Sequence, residues 1–174
     1  MIKTETLKIV RYPDEILRKI ARPVDKITEE IFELSDQMTA LMLEHDGLGL
    51  AATQVGVLVR LFIINTTPFE DKSMPMTVIN PAVIDTDGIV DEEEGCLSFP
   101  KLYLHIPRAR KVRISMQNLY NERLVFEAED FLARAVLHEI EHLNGVLFID
   151  HVKSEESAKV SEYVNNLRVS PASP

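Results

Sequence analysis

The sequence predicts an α+β domain in which mixed and antiparallel β-sheets pack around a buried central helix, with further helices toward its N- and C-terminal ends. Three patterns predict it: a helix-period run over residues 28 to 44, a set of apolar or alternating runs between Val57 and Phe126, and a long apolar helical run from Phe131 to Asn144. Strands gathered in one stretch with helices flanking them favour α+β over alternating βαβ units.

The elements follow in order. Ile31, Leu34, Met38, Leu41 and Met42 fall on one helical face, with Thr28 placed to cap the N-terminus and Glu29 and Glu30 suiting the positive end of the dipole. Val57 to Ile64 is short, β-rich and almost wholly apolar, as in a strand buried on both faces. Asn65 to Met76 is polar and contains Pro68, so it reads as a surface loop. Thr77 to Ile84 is a second strand, weakened at Pro81, which has no N–H for a ladder. The acidic stretch Asp85 to Glu94 reads as a solvated loop, since Gly88 falls at the wrong place for a calcium-binding EF-hand.

Val112, Ile114 and Met116 alternate with Arg113, Ser115 and Gln117, and the alternation resumes at Leu124 and Phe126 after a turn near Asn118 to Asn121. That is an antiparallel hairpin. The helix from Phe131 to Asn144 has Asp130 as its expected cap and Gly145 as its expected stop. Residues 153 to 168 form a polar, weakly amphipathic last helix, and Val169 to Pro174 read as a disordered tail. With no internal repeat, we expect residues 1–174 to form one catalytic domain.

Composition narrows the function. The net charge of -9 argues against a phosphate-neutralising surface, so nucleic acid is not expected as a partner. No apolar run approaches the roughly 20 residues that cross a bilayer, and Met1 to Val10 carries charges where a signal peptide has its apolar core. We therefore expect a cytoplasmic protein without a membrane partner. A single cysteine, Cys96, excludes an intrachain disulfide and fits a reducing compartment.

The strongest chemical signal is His138-Glu139-Ile140-Glu141-His142 inside the predicted helix. Positions i and i+4 share a face, so both imidazoles reach one ion, and Glu139 is placed to handle the proton of a bound water. Leu132, Ala133, Ala135, Val136, Leu137, Ile140 and Leu143 leave this helix almost no wet face. Unpartnered, two buried imidazoles and a carboxylate would each cost several kcal/mol, on the order of the desolvation penalty of polar groups; a metal removes that conflict.

Catalytic sites of this kind hold three protein ligands and keep one position open. A histidine six residues beyond His142 is excluded, because Phe148 stands there. Two candidates remain: Glu162 on the last helix and Cys96 in Glu94-Gly95-Cys96-Leu97-Ser98. A purely structural metal site would need a fourth ligand, for which His151 is nearest, while His45 and His105 read as surface or structural residues.

Three segments in this order resemble the peptide deformylase family: Gly47-Leu48-Gly49-Leu50-Ala51-Ala52-Thr53-Gln54, Glu94-Gly95-Cys96-Leu97-Ser98 and His138-Glu139-Ile140-Glu141-His142. Weaker similarity at Leu17-Arg18 and Gly145-Val146-Leu147-Phe148 spreads the match over most of the chain. The resemblance implies that Cys96, His138 and His142 ligate the metal, that Glu139 is the general acid/base, and that the Gln54 side chain and the Leu97 backbone N–H hold the formyl oxygen. It implies Fe(II) in the cell, although a Cys-His-His set also suits zinc, nickel or cobalt.

The implied substrate is an N-formylmethionyl nascent peptide, with Leu48, Gly49, Gly95, Phe131, Arg134 and Ala135 in contact with it. Phe131, Arg134 and Ala135 precede His138 by seven, four and three residues and so share its face; the stem of Arg134 would line a methionine pocket while its head reaches water. Gly47 and Gly49 would let the backbone come close to an extended substrate. Glu141, Leu137 and Lys101 stand where the family usually has aspartate, glutamine and glycine. The ribosome is a candidate partner by resemblance, although residues 153 to 168 mix Lys153, Lys159 and Arg168 with Glu155, Glu156 and Glu162.

Overall fold

In the computed structural model, which describes residues 7–67 and 75–169, the first helical period becomes α1, Glu29–Glu44, with Ile31, Leu34, Met38 and Met42 on its buried stripe. Thr28 takes the N-cap position with an extended backbone, yet its hydroxyl makes no capping bond. β1 is Gly49–Ala51, followed by a 3-10 turn at Ala52–Val55 and by β2, Leu61–Asn65. β3 is Pro75–Asp87, β4 is Val90–Cys96, β5 is Phe99–Arg108, β6 is Lys111–Gln117 and β7 is Arg123–Glu129. α2, Asp130–Leu143, carries the histidine pair, and α3, Ser157–Val169, closes the described chain.

Five strands form one antiparallel sheet in the order β1-β2-β3-β6-β7, while β4 and β5 pair separately. The five-stranded sheet lies between two helices, and β2 shows why its sequence is apolar throughout. Phe62 and Ile64 pack toward Val136, Ile140 and Leu143 of α2, whereas Leu61 and Ile63 pack with Leu34, Met38 and Met42 of α1. Both faces are covered, so alternation has no solvent side to report. A third cluster, with Leu17, Phe99, Leu104, Ile106, Leu147 and Phe148, joins the β4–β5 ribbon to the segment after α2.

The elements differ from expectation where long-range pairing decides. β2 begins at Leu61 rather than Val57; Val57 and Val59 pack against the α1 cluster outside the ladder. β3 continues through Pro81 because its register slips between Ile79 and Ala82, and a bulge removes the need for an N–H at that point. Asn80, at φ 50°, holds this bulge by bonding the backbone N–H and carbonyl of Val24. The expected loop Asn65 to Met76 is bounded by β2 and β3, and its Pro68 lies outside the described residues.

Asp85 to Glu94 is not a solvated loop but the end of β3 and most of β4. Pairing with β6 in its first part and with β5 in its second supplies its backbone partners, most of its carboxylates face solvent, and Glu94 turns inward onto cationic partners. β5 has a period-2 signature that the sequence reading passed over: Leu102, Leu104 and Ile106 are buried and alternate with Lys101, Tyr103 and His105. Asp130 is the first residue of α2 rather than its cap; its carboxylate pairs instead with Arg110 Nε at 2.8 Å. Val169 is the last residue of α3, and the rest of the expected tail, 170–174, lies outside the described residues.

Gly145 ends α2 as expected, at φ +72°, and an added Cβ would lie 2.4 Å from the carbonyl oxygen of Arg18. Left-handed backbone costs an L-residue roughly 1–2 kcal/mol before any clash. Gly145→Ala therefore lowers unfolding free energy by about 2 kcal/mol or more, read as a shifted denaturation midpoint at unchanged slope.

Candidate metal centre and active site

Helical spacing on α2 brings His138 Nε2 and His142 Nε2 to 3.1 Å, and the bend after β4 brings Cys96 Sγ to 3.2 Å from His142 Nε2. The β4–β5 register slips between Gly95 and Cys96, the kind of bulge that re-aims a side chain. The three donor atoms lie within 4.8 Å of one another. Around a tetrahedral ion, with bonds of about 2.3 Å to sulfur and about 2.05 Å to nitrogen, ligand atoms stand about 3.3 Å (N to N) and about 3.6 Å (S to N) apart. Two edges of the cluster are within a few tenths of that triangle and all three donors lie within 4.8 Å of one another, so the residues fit a single cation. Burial first, and then the neighbouring His138, hold His142 well below its ordinary range, leaving a neutral ring with a lone pair to give.

Behind His138 stands Glu94 of β4, whose Oε1 is 2.6 Å from His138 Nδ1. This bond leaves Nε2 as the ring nitrogen that faces the cluster, the orientation that a carboxylate behind a metal-binding histidine fixes. Burial by itself would raise Glu94, but Arg108 and then His138 outweigh it and hold the carboxyl well below the usual range. Arg108 binds Glu94 through Nε and one terminal nitrogen, each at 2.7 Å, and Arg134 adds a third bond at 3.0 Å.

Glu139 lies beside the donor cluster, 4% exposed, with Oε2 buried and unpartnered. Burial above all pushes its carboxyl up to about 7. An added Cβ on Gly49 would sit 2.4 Å from Glu139 Oε1, so this glycine makes room for the carboxylate. That reason differs from the approach to substrate expected from sequence, and Gly95 is similar: its Cβ would meet the Tyr103 ring at 2.8 Å. Gly47 is pressed by Leu97 in the same way, at 2.9 Å.

Gln54 is oriented at both ends. Its Oε1 accepts the Ala51 N–H at 2.8 Å, and its Nε2 faces Ser98 Oγ at 3.2 Å and Cys96 Sγ at 3.4 Å. A cavity of about 930 Å³ opens above the cluster. Leu48, Gly49, Gln54, Gly95, Cys96, Leu97, Phe131, Arg134, Ala135, His138 and Glu139 all border it.

Arg134 contradicts one expectation. Its head does not reach water: the residue is 4% exposed, and its guanidinium donates to Glu94 and to the carbonyls of Ile106 and Val90 at 2.8 and 3.0 Å. Snorkelling is the usual habit of a long cation, but here a buried carboxylate and two carbonyls take the place of solvent. Glu162 is exposed on α3 and is not in the donor cluster. His151 is also outside it and pairs with Glu141 at 2.9 Å.

A profile of the polypeptide deformylase family matches residues 6–158. The chain is 40% identical over 171 residues to a peptide deformylase of Helicobacter pylori, covering 96% of this chain and 97% of the relative. The chain belongs to the polypeptide deformylase family. A peptide deformylase of Buchnera aphidicola is 38% identical over 162 residues, covering 93% of this chain and 96% of the relative. Among solved structures, a plant peptide deformylase superposes with a TM-score of 0.90 at 34% identity, covering 96% of this chain and 92% of that one. One from Legionella pneumophila superposes with a TM-score of 0.85 at 33% identity, covering 94% and 96%.

Membership makes this a metal-dependent hydrolase that removes the N-formyl group from nascent peptides. The fold is the one the sequence predicted, with α2 packed on the five-stranded sheet through Val136, Ile140 and Leu143 and meeting the β4–β5 ribbon through Arg134 and His138. Lys101, at the position where the family resemblance leads us to expect glycine, stands at φ +67°, so the lysine carries a backbone cost that glycine would avoid. Leu137 is partly buried against the α2 cluster, where an apolar side chain is well suited. Sequence reasoning missed Glu94 as the partner of His138 and Arg108 as the partner of Glu94. The legible signal for Glu94 was a carboxylate two positions before a candidate cysteine ligand, since metal-binding histidines habitually give their second N–H to a carboxylate.

Proposed function

We propose that this deformylase hydrolyses the formyl amide of N-formylmethionyl peptides with Cys96, His138 and His142 as metal ligands and Glu139 as the proton carrier. The observation that carries these roles is the buried, unpartnered Glu139 Oε2 beside a three-donor cluster at the wall of an open cavity. When bound, the metal supplies Lewis acidity toward water and the formyl oxygen. Fe(II) is the ion proposed in the cell, with zinc, nickel or cobalt able to occupy the same donors.

The residues then divide the reaction. Glu139 takes the proton of the attacking water and delivers it to the departing nitrogen, so that formate and a free amine result. Its pKa near 7 suits both directions of transfer at neutral pH. Gln54 Nε2 and the Leu97 N–H face the formyl oxygen as it gains charge. Leu48, Phe131 and Ala135 form the apolar wall that takes the methionine side chain, with Gly49 and Gly95 beside the peptide backbone. Arg134 serves this pocket from behind, through Glu94.

Gln54→Leu tests the oxygen-binding role. Removing one such donor costs roughly 3 kcal/mol, so kcat/KM for formate release from a formylmethionyl peptide falls about a hundredfold while metal content holds. An unchanged kcat/KM removes Gln54 from the mechanism.

We take residues 1–174 as one catalytic domain working in the cytoplasm, where nascent chains emerge; among the described residues no helix is long and apolar enough to cross a membrane. The ribosome is the partner that α3 supports least. Lys153, just before α3, already pairs with Asp91, and Lys159 of α3 with Glu156, so these two cations are offset by neighbouring carboxylates.

A further inference from the structure

We propose that Glu141 and His151 form a positioning arm for the metal centre, holding Arg108 so that Glu94 stays turned toward His138. Glu94 has two guanidinium neighbours, and they are anchored differently. Arg134 is fixed on its far side by the carbonyls of Ile106 and Val90. Arg108 faces a carboxylate on its far side: its Nη1 is ion-paired at 2.9 Å with Glu141 Oε2, an oxygen that makes no hydrogen bond. The other oxygen of Glu141 lies 2.9 Å from His151 Nε2. A continuous chain therefore runs from His151 through Glu141, Arg108 and Glu94 to His138 Nδ1.

The arm is closed by the fold. His151 ends the 3-10 turn Phe148–His151, which follows the Gly145 bend, and Phe148 of the same turn packs with its ring centre 6.0 Å from that of His138. One short turn thus braces His138 from its apolar side through Phe148 and from its polar side through His151. Two guanidinium charges, Arg108 and Arg134, face two carboxylates, Glu94 and Glu141, so the buried part of the chain is balanced. Without Glu141, Arg108 would keep its two bonds to Glu94 and lose the carboxylate that holds its far side.

Glu141 is also where this sequence carries glutamate in place of the usual aspartate. A side chain one methylene shorter, by about 1.5 Å, would fall short of holding both Arg108 and His151 from the same backbone position. Neither Glu141 nor His151 borders the cavity, so the arm acts on the ligand and not on substrate.

This inference rests on the proposed ligand set. The test follows transfer of metal from the zinc-loaded protein to an excess chromophoric chelator, beside KM and kcat for formate release. Loss of a partner behind a ligand typically costs 10–100-fold in metal affinity. His151→Ala and Glu141→Gln are each expected to speed metal loss about tenfold or more with KM unchanged. The double variant should be no faster than Glu141→Gln alone, because His151 works only through Glu141. His151→Gln should restore slow release, its amide nitrogen replacing the imidazole Nε2 as donor. Release at the wild-type rate from His151→Ala, or full additivity in the double variant, overturns the arm. Cys96→Ala is the control that separates the two readings: if it holds zinc as tightly as wild type, the ligand set itself has failed and the arm falls with it.

Discussion

Glu139→Gln is expected to keep its metal and lose about a thousandfold in kcat, with KM little changed. The magnitude is that of a general acid/base removed from a proton-transfer step, which contributes 10²–10⁴-fold. Glutamine is nearly isosteric, so it fits the space that Gly49 leaves and does not disturb the packing of α2. What it lacks is the ability to take up and release a proton. Glu139 is fully enclosed on the protein side, and no other described carboxylate shares its position against both Gly49 and the donor cluster. Metal analysis beside single-turnover formate release separates the two effects. A variant that keeps metal and more than a tenth of the activity would show that the proton travels by another group.

Cys96→Ala is expected to strip the metal, and activity with it. Loss of a direct ligand should exceed the roughly hundredfold that loss of a partner behind a ligand brings. It also leaves two histidines 3.1 Å apart without the anionic sulfur donor that would offset a divalent ion directly. Glu162→Ala should retain full metal, because Glu162 is exposed on α3 outside the cluster. Equilibrium dialysis against a buffered zinc series ranks the two. Metal loss in the Glu162 variant with retention in the Cys96 variant would replace the sulfur with a carboxylate and reassign the chemistry to that of a peptidase.

The two variants probe features of unequal legibility. His138 and His142 were readable because helical geometry ties i to i+4 regardless of what surrounds the helix. Cys96 was not, on residue chemistry alone: it stood level with Glu162 until the three motifs were read together, and the register slip that turns its sulfur inward depends on pairing with β5. Gln54 was similar, a polar residue with no local pattern, whose amide is oriented only once Ala51 and Ser98 flank it.

Arg134 marks the limit of face-by-face reasoning. The spacing rightly placed it on the His138 side of α2, yet it left open what waits there. The answer, Glu94, is 40 residues away in sequence. The same partner explains why an acidic run that reads as a solvated loop is a strand: one of its carboxylates is buried with two arginines and a histidine.

From the sequence by itself came the α+β class, the helix that carries the histidine pair, the glutamate beside it and the family resemblance, since these rest on local periodicity and on motifs only a few residues long. The tertiary structure alone decided which way Cys96 turns, what Gly49 makes room for, and how Glu94, Arg108, Glu141 and His151 line up behind His138. The physical reason is that periodicity says which side of an element is buried and leaves unsaid what it meets there. A buried charge takes its role from that neighbour, which here arrives from another strand or from the turn beyond the helix.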